Sequence, residues 1–394
     1  MVLIDIIEYS LAAVVSLLLG YRLFLSASAL KAKEIIDFKT TACRKFAIII
    51  PAHNEENVIS KTLYSLSGLV YPKNLYDIIV IADNCSDNTM KKAESMGAFV
   101  LERTNKREIG KEHALRWGIN RILEWPVSYD AVVIFEPDGL VSGSYLEVMN
   151  YYLEKGGKAI QSCNLVLPQS DAWNKGICQI SVLFNNYIKP LGQKNLGLDT
   201  RLNGNGMCFT VELLRQIISQ TLTSSKDFDY GLFLLLNRIT IDFAPEANVW
   251  SQAETHIKYR KYWYRGRFPI IKKYTPKIFK TFFKTREFKF IDTFLDLITP
   301  PLSNMAMIII GFCLLNTFLW MGGWLPFHFL GIWFGIALLG LLHLFTGLYA
   351  VGADKEIYKS MLYFPWHILR KIRSYIQADQ PKKERKWVQT TRDT

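Results

Sequence analysis

Three long apolar runs constrain this chain before anything else does. Ile4 to Leu25 is apolar apart from Asp5, Glu8 and Arg22 near its ends, and Tyr9 to Tyr21 carries no charge. Pro301 to Trp320 and Phe327 to Ala350 are essentially uncharged. Met321-Gly-Gly-Trp-Leu-Pro326 joins these two as a Gly/Pro-rich hairpin. Each run is long enough for one membrane-spanning helix, with a buried core helix as the alternative for the first. The mean hydropathy of +0.10 is too low for a chain that is all membrane. The 394 residues therefore predict a water-soluble domain plus a few spans.

The charge pattern predicts an orientation. Lys31, Lys33, Arg44 and Lys45 follow the first run, with no matching cluster before it. After two more crossings the tail carries Arg370, Lys371, Arg373, Lys382, Lys383, Arg385 and Lys386. Both basic flanks place the N-terminus outside and the soluble domain in the cytoplasm, as in a multi-pass protein of the cell inner membrane. Ile257 to Phe290 and Tyr358 to Ile376 interleave Lys and Arg with Tyr, Trp and Phe. They read as amphipathic helices in the headgroup layer, against the alternative of solvated basic faces. Lipid thus accounts for much of the net charge of +12, and no nucleic-acid partner is expected. Six cysteines form no CxxC pair, which predicts small core residues in a reducing compartment rather than a zinc or redox motif. No cleavable signal peptide is evident. The expected divisions are a span in 1–30, a catalytic domain in 44–256, interfacial helices in 257–298, two spans in 299–350, and an interfacial helix with a basic cytoplasmic tail in 351–394.

Inside 44–256, strand and helix patterns alternate. Phe46-Ala-Ile-Ile-Ile50, Asp77 to Ala82, Phe99-Val-Leu101 and Ala131 to Phe135 are short apolar runs of the kind buried in parallel sheets. Asn57–Leu69, Asn88–Met96 and Lys111–Leu123 carry helical spacing between them. This alternation predicts an α/β domain with a mostly parallel sheet, where ligands bind beyond the carboxyl ends of the strands. Polar residues cluster at those ends: Pro51-Ala-His-Asn-Glu-Glu56, Asp83-Asn-Cys-Ser-Asp-Asn88 and Glu136-Pro-Asp138-Gly. Any one is compatible with ordinary turn chemistry; three on one rim point to a site. Ser86 and Asp87 read as caps of the next helix.

Carboxylates beside basic residues suit a divalent metal and a phosphate-bearing substrate. Lys111, at a predicted helix start, is a candidate phosphate contact or a solvated lysine. The glycines of Arg201-Leu-Asn-Gly-Asn-Gly206 would let the backbone approach a ligand closely. Asp227, where a helix should begin, is either a cap or a general base for an acceptor hydroxyl.

The ordered set Pro-Ala-His-Asn-Glu-Glu, Ala-Asp-Asn-Cys-Ser-Asp-Asn-Thr, Gly-Lys-x-His-Ala-Leu, Glu-Pro-Asp, Gly-Asn-Gly-Met and Asp-Phe-Asp-Tyr-Gly-Leu resembles the family 2 glycosyltransferases of GT-A fold, over roughly residues 46 to 267. The resemblance implies a Rossmann-like, mostly parallel sheet and a nucleotide-sugar donor, most simply a UDP-sugar. Asp83 would bind the uridine, with Pro51, Ala52, Asn54 and Glu55 around base and ribose. Lys111, Glu136 and Asn205 would join the donor site. Glu136 and Asp138 would form the acid-x-acid motif for Mg or Mn, with Asp138 the more direct ligand. Asp227 would be the base of an inverting displacement. Arg260, Lys261, Trp263 and Arg265 fall where the family has its Gln-x-x-Arg-Trp motif.

Three departures stand out. Glu136 replaces the usual Asp, Lys226 replaces a Glu before the base, and Tyr259-Arg-Lys-Tyr-Trp263 lacks the motif's Gln, with Tyr262 in place of its Arg. The expected acceptor is a membrane lipid, lipid-linked glycan or exopolysaccharide. A processive polysaccharide synthase and a catalytically impaired membrane scaffold are the alternatives.

Overall fold

The computed structural model describes residues 2–31, 38, 44–167, 173–220, 226–251 and 253–376. The side chains of 2–3, 173–175, 219–220, 226–228, 253–268 and 374–376 lie outside that description. In chain order, α1 (Val2–Ser28) precedes β1 (Phe46–Ala52), α2 (Ile59–Ser67), β2 (Tyr76–Asp83), α3 (Thr89–Ser95) and β3 (Phe99–Arg103). Next come α4 (Lys111–Leu123), β4 (Ala131–Ile134), β5 (Leu140–Val141), α5 (Tyr145–Glu154) and β6 (Ala159–Val166). They are followed by α6 (Trp173–Leu183), α7 (Lys189–Asn195), β7 (Met207–Thr210), α8 (Val211–Gln220), α9 (Lys226–Leu236) and β8 (Ile241–Ser251). The last helices are α10 (Ala253–Thr285), α11 (Phe288–Ile298), α12 (Leu302–Met321), α13 (Phe327–Ala350), α14 (Lys355–Ser360) and α15 (Phe364–Ile376).

The chain forms two compact units. Among the described residues, one gathers 44–167, 199–220, 226–251 and 253–264 around an eight-stranded sheet of order β3-β2-β1-β4-β7-β6-β8-β5. β1 pairs in parallel with β2 and β4, and β2 with β3. The expected parallel half is therefore present. The second half is mixed: β7 runs antiparallel to both neighbours, and β5 antiparallel to β8. Alternate side chains of β1 enter different cores. Phe46, Ile48 and Ile50 pack with α2 and α5, while Ala47 and Ile49 pack with α4 and α8. Burial on both faces explains why the strand reads as a continuous apolar run.

The other unit, among the described residues, comprises 2–31, 173–198 and 265–376. It contains three helices long and apolar enough to cross a membrane: Ile4–Ser28, Leu302–Met321 and Phe327–Ala350. Ala12, Val15, Leu18 and Leu19 of α1 pack against Met305, Ile309, Trp333 and Ile336. Leu17, Leu314, Phe318 and Leu338 face outward. Glu8 is buried, where its carboxylate accepts hydrogen bonds from Trp333 Nε1 at 2.7 Å and Asn316 Nδ2 at 3.4 Å. Basic-aromatic α15 exposes Leu362, Trp366, Leu369 and Ile372 beside and along its length at helical spacing, which makes an apolar stripe. The tail basics Lys382, Lys383, Arg385 and Lys386 lie outside the described residues.

Residues 173–198, inside the stretch expected to form one domain, group with these helices. Between α6 and α7 the backbone widens into a π-helical segment, Phe184–Ile188. Pro190, which has no N–H to donate four residues back, follows directly. α7 locks onto its neighbours: Gln193 Nε2 donates to Asp292 Oδ2 at 2.9 Å, Lys189 pairs with Asp296 at 2.6 Å, and Tyr21 bonds the Asp292 carboxyl. Burial raises the pKa of Asp292. A side chain at Gly192 would place its Cβ 2.1 Å from the Leu25 carbonyl oxygen. Gly192→Ala should therefore destabilise this unit by about 1–3 kcal/mol through overpacking, seen as a lower unfolding midpoint in detergent; an unchanged midpoint would contradict this packing.

Candidate active site

The carboxyl ends of β1, β2 and β4 carry the residues singled out in the sequence, and local interactions fix each loop. Asn54 and Asn84 both adopt left-handed backbone, with φ of 56° and 51°, a conformation Asn tolerates better than most residues. Asn54 Oδ1 accepts from the Ser86 N–H at 2.7 Å. His53 Nδ1 donates to the Asp83 carbonyl at 2.6 Å, and the Glu55 N–H donates to Thr89 Oγ1 at 2.8 Å. These bonds lace the Pro51–Glu55 segment to the loop after β2. Asp87 belongs to this lacing, while the N-cap position of α3 is Asn88 rather than the expected Ser86 or Asp87. Burial works against its ionisation, but hydrogen bonds from the Thr89 hydroxyl, the Thr89 N–H and the Glu56 N–H outweigh it and hold its pKa below the ordinary value. Burial pushes the Cys85 thiol up to about 11, so it is a packing group at neutral pH rather than a thiolate.

Asp83 is fully buried at the tip of β2. Its Oδ1 is paired with Arg103, itself 4% exposed at the end of β3. Arg103 also donates to the Glu108 carbonyl at 3.0 Å and reaches Glu108 Oε2 at 3.3 Å. Asp83 Oδ2 is buried with no hydrogen-bond partner. A buried carboxylate oxygen of this kind suits the N–H of a ligand. Sequence reasoning missed Arg103; its signal was only a basic residue ending a strand next to β2.

The loop after β4 is held from three sides. The Glu136 N–H donates to Asn205 Oδ1 at 3.0 Å, and Thr62 Oγ1 donates to the Pro137 carbonyl at 2.7 Å. Lys111 Nζ donates to Glu136 Oε1 and to the Gly204 carbonyl, both at 3.0 Å. Asp138 is 6% exposed. Asn205 is fully buried, and its Nδ2 has no hydrogen-bond partner. Its loop is templated by Gln161 of β6, also missed from sequence. Gln161 Oε1 accepts from the Asn203 N–H at 2.8 Å, while Nε2 donates to the Asn205 carbonyl at 2.9 Å.

Gly206 sits at φ +68°, and a Cβ there would lie 1.9 Å from Ser162 Oγ, so this glycine allows the loop to approach β6 closely. Lys226 and Asp227 open α9, as the sequence implies for a helix start. The side chains of Asp227, Arg260, Lys261, Trp263 and Arg265 lie outside the described residues.

The donor set fits a metal shared with substrate rather than a protein cage. Among the described residues, no group of three or more His, Cys, Asp or Glu side chains is placed to hold an ion. A hard cation such as Mg or Mn commonly takes one or two carboxylates and completes its shell with phosphate oxygens and water. Asp138 and Glu136 are the carboxylates available for that role.

Residues 43–264 match the family described as glycosyltransferase like family 2, more than half of the chain. The chain is 28% identical over 199 residues to the beta-monoglucosyldiacylglycerol synthase of Trichormus variabilis, covering 48% of this chain and 41% of that protein. It is 32% identical over 151 residues to the 4,4'-diaponeurosporenoate glycosyltransferase of Staphylococcus aureus, covering 37% of each. The matches thus take in about two fifths of these relatives' lengths. Among solved structures, the mannosyltransferase PcManGT of Pyrobaculum calidifontis, in complex with GDP-Man and Mn2+, aligns with a TM-score of 0.54 and 15% identity. That alignment covers 87% of this chain and 97% of PcManGT, and is a likeness of fold.

Arg103→Met should leave Asp83 as an uncompensated buried charge, costing about 3–5 kcal/mol. Asp83→Asn in the same background should recover part of that loss. Unfolding midpoints of the single and double variants measure both effects.

Proposed function

Because the chain belongs to glycosyltransferase like family 2, we propose that it transfers a sugar from a nucleotide-sugar, a UDP-sugar in the first instance, to a lipid or lipid-linked glycan at the membrane. The observation that carries this reading is Asp83: a buried carboxylate with one oxygen held by Arg103 and the other without a hydrogen-bond partner. At the end of a parallel strand, such an acceptor suits the imide N–H of uracil. PcManGT, in complex with GDP-Man and Mn2+, makes GDP-mannose the second donor to test. The Pro51–Glu55 segment would surround base and ribose, and Lys111 and Asn205 would face the diphosphate and sugar.

Asp138 would hold the Mg or Mn ion, with Glu136 beside it. Once bound, the metal would neutralise charge on the departing diphosphate. The remaining chemistry falls to the protein. Asp227, at the start of α9, would take the proton from the acceptor hydroxyl as it attacks, so that one in-line displacement inverts the anomeric centre. Arg260, Lys261 and Trp263 would close over the diphosphate and acceptor.

A lipid acceptor is supported by three helices long and apolar enough to cross a membrane and by the exposed apolar stripe of α15. The name of the Trichormus relative specifies a glucosylated diacylglycerol. The basic flanks of the spans support a cytoplasmic catalytic domain in a multi-pass inner-membrane protein.

Purified protein with Mn2+ and a panel including UDP-glucose, UDP-GlcNAc and GDP-mannose should release nucleoside diphosphate with at least one donor when membrane lipid is supplied. Asp227→Asn should lower that rate at least about 100-fold, the scale of lost base catalysis, with donor affinity nearly intact. Asp138→Ala should instead weaken donor binding only where metal is present. No release with any donor or lipid extract would refute the assignment.

A further inference from the structure

Glu136, one of the two carboxylates in the Glu-Pro-Asp turn, already has a cation. Lys111 Nζ lies 3.0 Å from its Oε1, and the two side chains are 23% and 31% exposed. The same ammonium donates to the Gly204 carbonyl at 3.0 Å, so it bridges the β4 loop and the 203–206 loop. A carboxylate neutralised in this way has lost most of its attraction for a second cation, and the ammonium repels an incoming divalent ion. Yet Lys111 is a compact charge on a flexible stem, whose three donors can change partners without strain. It sits in the first turn of α4, after Gly110.

We infer that Lys111 gates the metal site: without donor it occupies Glu136, and the donor's diphosphate draws it away, releasing Glu136 to join Asp138 around the ion. This rests on the donor-site reading above. Metal and nucleotide then bind cooperatively, since each favours the arrangement in which Lys111 faces phosphate rather than Glu136. The coupling must be reciprocal: nucleotide tightens metal by the same factor that metal tightens nucleotide. Gly204 loses a hydrogen bond in the exchange, while Asn205 still holds the Glu136 N–H and keeps the turn in place.

The test is Mn2+ binding by the full-length protein in detergent, read from loss of the free-ion electron paramagnetic resonance signal. UDP and GDP serve as nucleotide probes, with protein-free mixtures correcting for Mn2+ held by nucleotide in solution. Wild-type protein should bind Mn2+ at least tenfold more tightly with UDP or GDP than without. Lys111→Met should bind Mn2+ alone about tenfold more tightly than wild type, and adding Glu136→Gln should remove that gain. Lys111→Arg, which keeps the ion pair, should retain nucleotide dependence. Equal Mn2+ affinity of wild type with and without nucleotide overturns the gate, whether or not the Met variant folds. So does a gain in the Met variant that survives Glu136→Gln. If nucleotide binds but the coupling is absent, the gate alone fails; if neither UDP nor GDP binds with Mn2+, the donor-site reading fails with it.

Discussion

The pairing of β1 with both β2 and β4 sets where everything polar in this site can be. β1 runs in register with β2 from Phe46↔Tyr76 to Ala52↔Ala82, and with β4 from Phe46↔Ala131 to Ile49↔Ile134. Its side chains are buried on both faces, so a slip of one residue would exchange Phe46, Ile48 and Ile50 with Ala47 and Ile49 between two cores of different shape. The register is therefore specified strongly. Because all three strands are parallel, their carboxyl ends reach the same edge. His53, Asp83 and Glu136 come together there although no local sequence signal links them.

Placing acids at one edge creates a repulsion that the fold must offset, and it does so with dedicated cations. Arg103 holds Asp83 and Lys111 holds Glu136. The two pairs differ in kind. Asp83–Arg103 is buried, and Glu108 accepts from both terminal nitrogens of the guanidinium, which restrains it further. Lys111–Glu136 is partly exposed and made by a lysine, which suits exchange. The choice of Arg in one place and Lys in the other thus makes the carboxylate proposed for the base fixed and the one proposed beside the metal exchangeable.

The parallel half of the sheet was legible because burial on both faces leaves a continuous apolar run, as in Ala-Ile-Ile-Ile of β1 and Ile-Ile-Val-Ile of β2. The mixed half was not. β6 carries Gln161, Ser162 and Asn164, polar residues whose burial is intelligible only once the 203–206 loop is known to bond Gln161. Arg103 and Gln161 stayed hidden for the same reason. Each is a positioning residue defined by a partner 20 or more positions away, and periodicity carries no information about such pairs. The segment 173–198 escaped for another reason. Lys189 and Gln193 carry no local signal of their partners, yet they are the groups that meet Asp296 and Asp292.

That last case shows how the helical unit balances opposite demands. Its long apolar helices turn Leu17, Leu314 and Leu338 outward as well as packing on one another, so apolar surface alone does not distinguish one helix packing from another. Specificity has to come from close approach and from polar groups with fixed partners. Gly192 against the Leu25 backbone supplies the first. Glu8 with Trp333 and Asn316, and Asp292 with Tyr21 and Gln193, supply the second. A carboxylate in such surroundings is costly unless every contact is made, so each cluster tolerates one arrangement of its helices and penalises the alternatives. The residues that least resemble a membrane helix are therefore the ones that decide how these helices assemble.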